Sequence, residues 1–542
     1  MSKQHATTIL ILLPLLIIAW VWLSPLAFVP VPWPDDSAFY FVGRELFKWP
    51  PRWVMLPQAP FEPTYRIFNF NTMPLYPILV GLGRLIGIDG SHAIKLWPLA
   101  AYGLSGSLLS AWLYRAGLPF LGALSVGVAL SLDPGMRWAA VLVRPESLIG
   151  LCGVALVLGL SLGFPARFRP RGLWHPVAAL LAIAAYAHFN AIHLLFPVVL
   201  TCLMAPQELM AIGLRCLLYL TPWLLAVVIH PLLFIYQMEV QWKRLVFHNE
   251  WLDSPAHALR GIFQDMGSPE PWPEHLHLAA YVIWALILAA LLFGLLLPLV
   301  RLGLVAAGRT AKPEKQALLP AAGWIVGSIW LWENKPEVWF NYYVHLSVWT
   351  FAGLASLAAW KSKTSALPRV TALAGLGAAF LFTSGLFASV DVAQAMRLDA
   401  TRTWHWSTYH DFVDCLDVEL KRVEKRLGHP KPFRVWDPTF PDVTIELSRL
   451  HPDWEFTRTN DFWDRADLAV QHGRDVEAVV VTETLNWPER EISEAQAKHP
   501  EILSTWMTWK IHFLNRLWDE RGWKPERYLC QRGRWQGFIF EK

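Results

Sequence analysis

Two adjacent carboxylates, Asp35 and Asp36, follow a long apolar run and precede a short amphipathic stretch. The apolar run, Thr8 to Val29, is about long enough to cross a bilayer once, so it would deliver the pair to the far membrane face. Carboxylates at a membrane edge lose solvation energy unless they bind a cation or exchange protons. The pair therefore has two competing interpretations: catalysis, or simple capping of the helix that follows.

That helix is predicted over Ser37 to Lys48, where large apolar residues recur on one face beside charged ones. A helix of this kind lies along the membrane interface rather than across it. The next apolar piece, Met73 to Ile88, is short for a span and is read as a second interfacial helix. Both pieces would hold the first outward loop, residues 30–73, against the membrane.

The composition is that of a polytopic membrane protein. Of the 542 residues, 54% are hydrophobic and 17% are charged, whereas soluble domains carry about 25% charged residues. The net charge of +4 is small and is not gathered in one block, which argues against nucleic-acid binding.

Loop charge predicts the topology. Basic residues recur on alternate loops, which the positive-inside rule places in the cytoplasm together with the N-terminus. The acidic pair, the loop 237–277 and the C-terminal part then face outward. About eleven spans are predicted, at Thr8–Val29, Ile94–Tyr114, Leu118–Leu132, Ser147–Phe164, Trp174–Ala187, Ala191–Ala205, Leu214–Tyr236, Leu278–Val300, Leu318–Trp332, Tyr342–Trp360 and Val370–Val390.

Beyond the membrane part, residues 1–395, the composition changes to that of a small soluble domain, residues 396–542. An α/β domain is predicted, with its two remaining cysteines, Cys415 and Cys530, able to pair in an oxidising compartment. Its predicted elements are a helix at Asp411–Arg426, strands at Phe433–Trp436 and Ala478–Thr482, and a closing hairpin at Arg527–Glu541.

The order of these features resembles the GT-C superfamily of integral-membrane glycosyltransferases, which includes lipid A aminoarabinose transferases and protein O-mannosyltransferases. The resemblance covers about Thr8 to Val390. The residues that carry it are Asp35, Asp36 and Tyr40, the piece Thr72-Met73-Pro74-Leu75-Tyr76-Pro77, the triplet Arg144-Pro145-Glu146, and Phe340-Asn341-Tyr342-Tyr343.

The resemblance implies transfer of a sugar from a polyprenyl phosphate to a lipid, glycan or protein acceptor outside a bacterial inner membrane. Asp35 and Asp36 are the implied catalytic residues, because a carboxylate can accept the proton of an attacking hydroxyl. Family members carry a basic residue where this chain has Thr72. Contact with the lipid phosphate is therefore assigned to one of Arg66, Lys243, Arg244 and His188.

The remaining implied site residues are Tyr40, Arg144 and Glu146, with Tyr342 and Tyr343 lining the lipid groove. Glu146 is either a second acidic group for sugar, or for a divalent metal ion shared with Asp36, or a helix-start carboxylate favoured by the helix dipole. His188 is either a phosphate or sugar contact or a polar residue satisfied inside the bundle. No Cys-x-x-Cys or similar spacing indicates a metal site.

A transporter or flippase of a lipid-linked precursor is the alternative function. It predicts charged residues deep within spans and an internal repeat of the hydrophobic segments. Charge within the predicted spans is scarce and no repeat is evident, so the sequence favours the transferase.

Overall fold

The computed structural model describes residues 3–23, 34–54, 66–115, 118–132, 145–164, 174–202, 206–248, several residues between 319 and 330, 406–437, 442–458, 475–484, 530–532 and 535–541. The chain forms two compact units. The first comprises Met1–Ala27, Met73–Leu75 and Trp97–Gln394, and the second comprises Phe28–Thr72, Tyr76–Leu96 and Ala395–Lys542. The second unit therefore combines the loop that carries the acidic pair with the C-terminal domain.

Helices dominate the described residues, in agreement with the predicted class. In chain order they are α1 (Lys3–Leu23), α2 (Pro34–Leu46), α3 (Leu75–Leu85), α4 (Ser91–Arg115), α5 (Phe120–Leu132), α6 (Glu146–Leu162), α7 (Trp174–Ala187), α8 (Leu195–Cys202), α9 (Pro206–Ile229), α10 (Pro231–His248), α11 (Trp406–Arg426) and α12 (Thr444–Leu450). A 3-10 turn, Phe189–Leu194, precedes α8.

In the first unit, α7 packs against α6 and α9, and α1 packs against α5. Helix α9 leaves many apolar side chains exposed, among them Leu214, Leu218 and Val228. Within the described residues, α9 is the helix whose length and apolarity suffice to cross a membrane. The count of about eleven spans stays a prediction, because the runs from Leu278, Tyr342 and Val370 onward lie outside the described residues.

The bounds of one predicted span are corrected, since the helix runs over Pro206–Ile229. The apolar run Leu214 to Tyr236 was expected to form one helix, but the chain breaks at His230 and Pro231 starts α10. Proline has no backbone N–H and its ring collides with the carbonyl four residues earlier, so a continuous helix is disfavoured there. Helix α10 then runs on to His248, so the first part of the predicted outward loop 237–277 is helical instead.

In the second unit, α2 and α3 approach closely. A Cβ atom added at Gly43 of α2 would lie 2.5 Å from the Pro77 carbonyl oxygen of α3, so this crossing requires glycine. The rings of Phe39 and Tyr76 meet with their centroids 4.7 Å apart. The Tyr76 hydroxyl in turn donates a hydrogen bond of 2.6 Å to the Ile94 carbonyl. Helix α3 thereby fixes α2 against the first turns of α4.

The C-terminal domain contains a five-stranded mixed sheet in the order β2-β1-β3-β5-β4. Strand β1 pairs in parallel with β2 and β3, and β5 pairs antiparallel with β3 and β4. The predicted helix, the two strands and the hairpin are confirmed, while β2 and α12 were missed. The strands are β1 (Arg434–Asp437), β2 (Glu455–Arg458), β3 (Ala478–Thr484), β4 (Cys530–Arg532) and β5 (Trp535–Glu541).

A disulfide bond joins Cys415 of α11 to Cys530 of β4, 115 residues apart in sequence. The pairing is the one suggested by the sequence. Apolar residues of α11 lie against β5, where a Cβ atom at Gly537 would come within 2.7 Å of Leu416. The disulfide therefore joins the domain's long helix, α11, to the edge strand β4.

We expect the double replacement Cys415→Ala and Cys530→Ala to lower the melting temperature of the purified protein. Closing so long a loop restricts the unfolded chain, and losing a native disulfide typically costs about 2–5 kcal/mol. Differential scanning fluorimetry in detergent, with and without reductant, measures the change. The matched control is Cys216→Ala, a free cysteine of α9, which should leave the sensitivity to reductant unchanged. Equal sensitivity in wild type and the double variant would contradict a stabilising bond.

Candidate functional site

Helix α2 positions the predicted catalytic carboxylate. It begins at Pro34, three residues before the predicted start, because proline is well suited to a first helical turn. Asp36 thus lies inside the first turn of α2, and both interpretations of the acidic pair stay predictions. Asp36 and Tyr40, one turn later on the same face, are both buried.

Tyr40 belongs to a polar network with α3 and the turn that follows it. Its hydroxyl donates to Asp89 Oδ1 at 2.9 Å. The same oxygen accepts hydrogen bonds of 2.7 Å from Arg84 Nε and from the Gly90 N–H. Burial raises the pKa of the Tyr40 phenol well above its ordinary value. The phenol is therefore a hydrogen-bond donor at any physiological pH.

Asp89 is the acceptor of this network. Burial alone would raise the pKa of its carboxyl group, but the Gly90 N–H and the Arg84 guanidinium outweigh that effect and hold the pKa below its ordinary value. The carboxylate is therefore charged and ties Tyr40 to Arg84. The Arg84 guanidinium also lies over the Tyr40 ring, 5.4 Å from its centroid.

The lowered pKa gives a pH-dependent prediction. A carboxyl group whose folded-state pKa is depressed stabilises the fold above its unfolded-state pKa, and that stabilisation is lost as the pH falls through the folded-state value. We expect Asp89→Asn to lower the melting temperature at about pH 7, with the difference from wild type shrinking below about pH 4. The exposed Asp411 supplies the control variant Asp411→Asn. A pH-independent difference at Asp89 would contradict the charged network.

A buried lysine completes the surroundings of Asp36. Lys95 lies one turn into α4 and is 2% exposed. Its charge interacts with the carboxylates of Asp36 and of Glu446, a residue of α12 in the C-terminal domain. Sequence reasoning missed this residue because Ile94 to Tyr114 was treated as an ordinary span. The available signal was a charged side chain at the edge of an apolar run, which marks functional sites in membrane proteins.

Glu446 is itself held by several donors. Its Oε1 atom accepts a 2.7 Å hydrogen bond from the Ser91 N–H, and its Oε2 atom accepts one of 2.9 Å from Arg449 Nε. Burial alone would raise the pKa of Glu446, but hydrogen bonds from Ser91 and Arg449 lower it below its ordinary value. A charged carboxylate of the C-terminal domain is therefore buried at the start of α4.

Comparison with known proteins supports the sequence resemblance at the level of fold. No protein-family model and no curated protein matches the sequence. Among solved structures, ArnT from Cupriavidus metallidurans in the apo state is similar, with a TM-score of 0.53 and 14% identity over 97% of each chain. The same protein bound to undecaprenyl phosphate gives a TM-score of 0.50 and 13% identity, also over 97% of each chain.

The chain has an ArnT-like fold. At such low identity the likeness establishes the architecture alone, so roles of individual residues must rest on the geometry of this chain. Of the predicted site residues, Asp36 and Tyr40 lie in the second unit within the network described above. Arg66 belongs to the same unit, and its side chain is exposed.

Two other residues predicted from the sequence, Glu146 and His188, lie in the first unit. Glu146 occupies the first turn of α6 and is buried, which agrees with a helix-start carboxylate. His188 caps the 3-10 turn, and its Nδ1 atom accepts a hydrogen bond of 3.2 Å from the Asn190 N–H. A local structural role thus accounts for one His188 nitrogen.

The remaining predicted residues stay untested. Lys243 and Arg244 lie on α10, but their side chains are outside the described set. The same holds for the side chain of Asp35, and Arg144, Tyr342 and Tyr343 lie wholly outside the described residues. Within the described part of the chain, no group of three His, Cys, Asp or Glu side chains is placed to hold a metal ion. The metal ion suggested for Asp36 and Glu146 therefore stays a prediction.

Proposed function

We propose that this chain is an integral-membrane glycosyltransferase that moves a sugar from a polyprenyl-phosphate donor to an acceptor hydroxyl on the outer face of the membrane. The observation that carries the proposal is a pair of buried groups whose charges interact, the Asp36 carboxylate and the Lys95 amine, in a chain with the ArnT-like fold. The ArnT structure with bound undecaprenyl phosphate supports a lipid of this class as the donor's carrier.

Asp36 would act on the attacking hydroxyl, and Lys95 would act on the departing phosphate. The acceptor oxygen forms a bond to the anomeric carbon while its proton passes to Asp36, acting as general base. The bond from that carbon to the phosphate oxygen breaks, and the polyprenyl phosphate leaves with the electron pair. The phosphate gains negative charge as it leaves, so Lys95 in its protonated form would stabilise the transition state more than the ground state.

Lys95 is a candidate for the phosphate contact that family members make with a basic residue at the position of Thr72. Among the cations suggested from sequence, Arg66 is exposed and His188 holds its own turn. Lys95 is buried, and its charge interacts with that of Asp36. We therefore assign to Lys95 the phosphate contact first assigned to Arg66, Lys243, Arg244 or His188.

The disulfide supports placing the C-terminal domain outside the cytoplasm. Disulfide bonds persist in oxidising compartments such as the bacterial periplasm and are rare in the cytosol. The second unit contains both this domain and the loop that carries Asp36. A periplasmic active site in a bacterial inner membrane is the arrangement that fits both features.

The test is release of free polyprenyl phosphate by the purified protein. The protein in detergent is offered a panel of undecaprenyl-phosphate sugars together with membrane extract, and products are identified by mass spectrometry. We expect release with one donor and gain of that sugar by a lipid, glycan or protein acceptor. Donor that crosses the membrane of a reconstituted vesicle without losing its sugar would instead establish the transporter or flippase.

A further inference from the structure

We propose that Glu446 and Arg449 of the C-terminal domain are positioning residues of the donor site, acting through Lys95 and Asp89. This inference rests on the proposed function and extends it. It gives the C-terminal domain a direct part in sugar transfer. Both residues lie on α12, which packs against α2 in the second unit.

The first link runs from Glu446 to Lys95. The Glu446 carboxylate accepts the Ser91 N–H at the first residue of α4, where free N–H groups and the helix dipole favour an anion. Lys95 follows Ser91 by four residues and therefore lies on the same face one turn later. The charge of Lys95 interacts with that of Glu446. Glu446 thus holds the first turn of α4, on the face that carries Lys95.

Helix α12 packs closely against Gly90, the residue before α4. Gly90 has a φ of +64°, and a Cβ atom there would lie 2.7 Å from Glu446 Oε1 and 3.1 Å from Arg449 Cδ. A side chain at Gly90 is therefore excluded both by backbone conformation and by contact with α12. The loop before α4 is shaped to receive these two side chains.

The second link runs from Arg449 to the tyrosine network. Arg449 donates to Glu446 Oε2, and its charge also interacts with the carboxylate of Asp89. Asp89 holds the hydroxyl of Tyr40, one turn after Asp36 on α2. Glu446 and Arg449 of α12 therefore interact with two different segments. Glu446 binds the start of α4, and Arg449 interacts with Asp89 in the turn after α3.

Simple attachment of the domain is the competing explanation, and the chain offers a matched control for it. Glu477 and Arg434 form a second ion pair in the same domain, outside α12. Glu477 accepts a backbone N–H and a guanidinium, as Glu446 does. The side chains of Arg434 and Arg449 are 39% and 40% exposed. A loss of stability should be similar at the two pairs, whereas an effect on catalysis should not.

The experiment compares Glu446→Gln with Glu477→Gln in the full-length protein. Glutamine keeps the shape and an acceptor oxygen but removes the charge. We expect similar melting temperatures for the two variants, and a fall in kcat of about 10- to 100-fold for Glu446→Gln alone, since small misplacements of a catalytic group have effects of this size. The donor KM should change less than kcat, because Lys95 acts mainly on the departing phosphate.

Arg449→Gln and Arg434→Gln repeat the comparison at half-exposed positions, where failure to fold is not expected. A selective fall in kcat for Arg449→Gln supports the second link. Equal kcat in the two variants of each pair, with sugar transfer by wild type intact, would overturn the positioning role and leave the proposed function standing. Absence of transfer by wild type with every donor would overturn the proposed function, and this inference with it.

Discussion

Sugar transfer by Asp36→Asn should fall by about 10²–10⁴-fold relative to wild type, the usual contribution of a general base. Asparagine has the same shape as aspartate but cannot take the proton of the acceptor hydroxyl. The position is 1% exposed, so water cannot easily replace the carboxylate. Release of undecaprenyl phosphate, followed by mass spectrometry, measures the rate.

The control for Asp36 lies on the same helix. Glu45 is also buried, and its Oε1 atom pairs with Arg44 at 3.2 Å and Lys48 at 2.6 Å. Nine residues at about 100° each place Glu45 opposite Asp36 around the helix. Glu45→Gln should therefore retain transfer even if it loses some stability. A wild-type rate in Asp36→Asn would exclude this residue as the base, and the parallel variant Asp35→Asn then decides whether its neighbour has that role.

The sequence was informative where function depends on local pattern. The amphipathic stripe after the acidic pair predicted α2, and this helix does place Asp36 and Tyr40 on one buried face. Helix α11 and the closing hairpin were also predicted from the local sequence. A local pattern predicts a helix or strand and the face that it buries, and for α2 the structure has both.

The sequence alone did not predict which distant segments contact each other. Ser91 and Glu446 are 355 residues apart and yet form a 2.7 Å hydrogen bond. Helix α12 is only seven residues long, and β2 only four, so neither carries enough periodicity to be recognised. Lys95, Asp89 and Glu446 each read as an ordinary charged residue near a helix end. Their common environment is created by tertiary packing of α2, α3, α4 and α12, which no single segment encodes.

The second large effect is expected at Lys95. Methionine keeps a long, flexible and apolar side chain of similar volume, so Lys95→Met removes the charge with little change in packing. We expect kcat to fall by about 10²–10³-fold, as when a preorganised group that stabilises transition-state charge is deleted. Lys95→Arg, which keeps the positive charge, should retain more activity than Lys95→Met.

A control variant and a stability measurement distinguish a catalytic role of Lys95 from a structural one. Lys48→Met removes a half-exposed lysine from the end of α2 and should leave transfer unchanged. If Lys95 were only the structural partner of Asp36, then Lys95→Met would lower the melting temperature while transfer by the folded fraction stayed near wild type. A fall in kcat at constant folded fraction, with a smaller change in donor KM, instead requires that the ammonium group act on charge that develops during the reaction. The departing phosphate is where such charge develops, so this result would place the lipid phosphate beside Lys95 and the attacking hydroxyl beside Asp36.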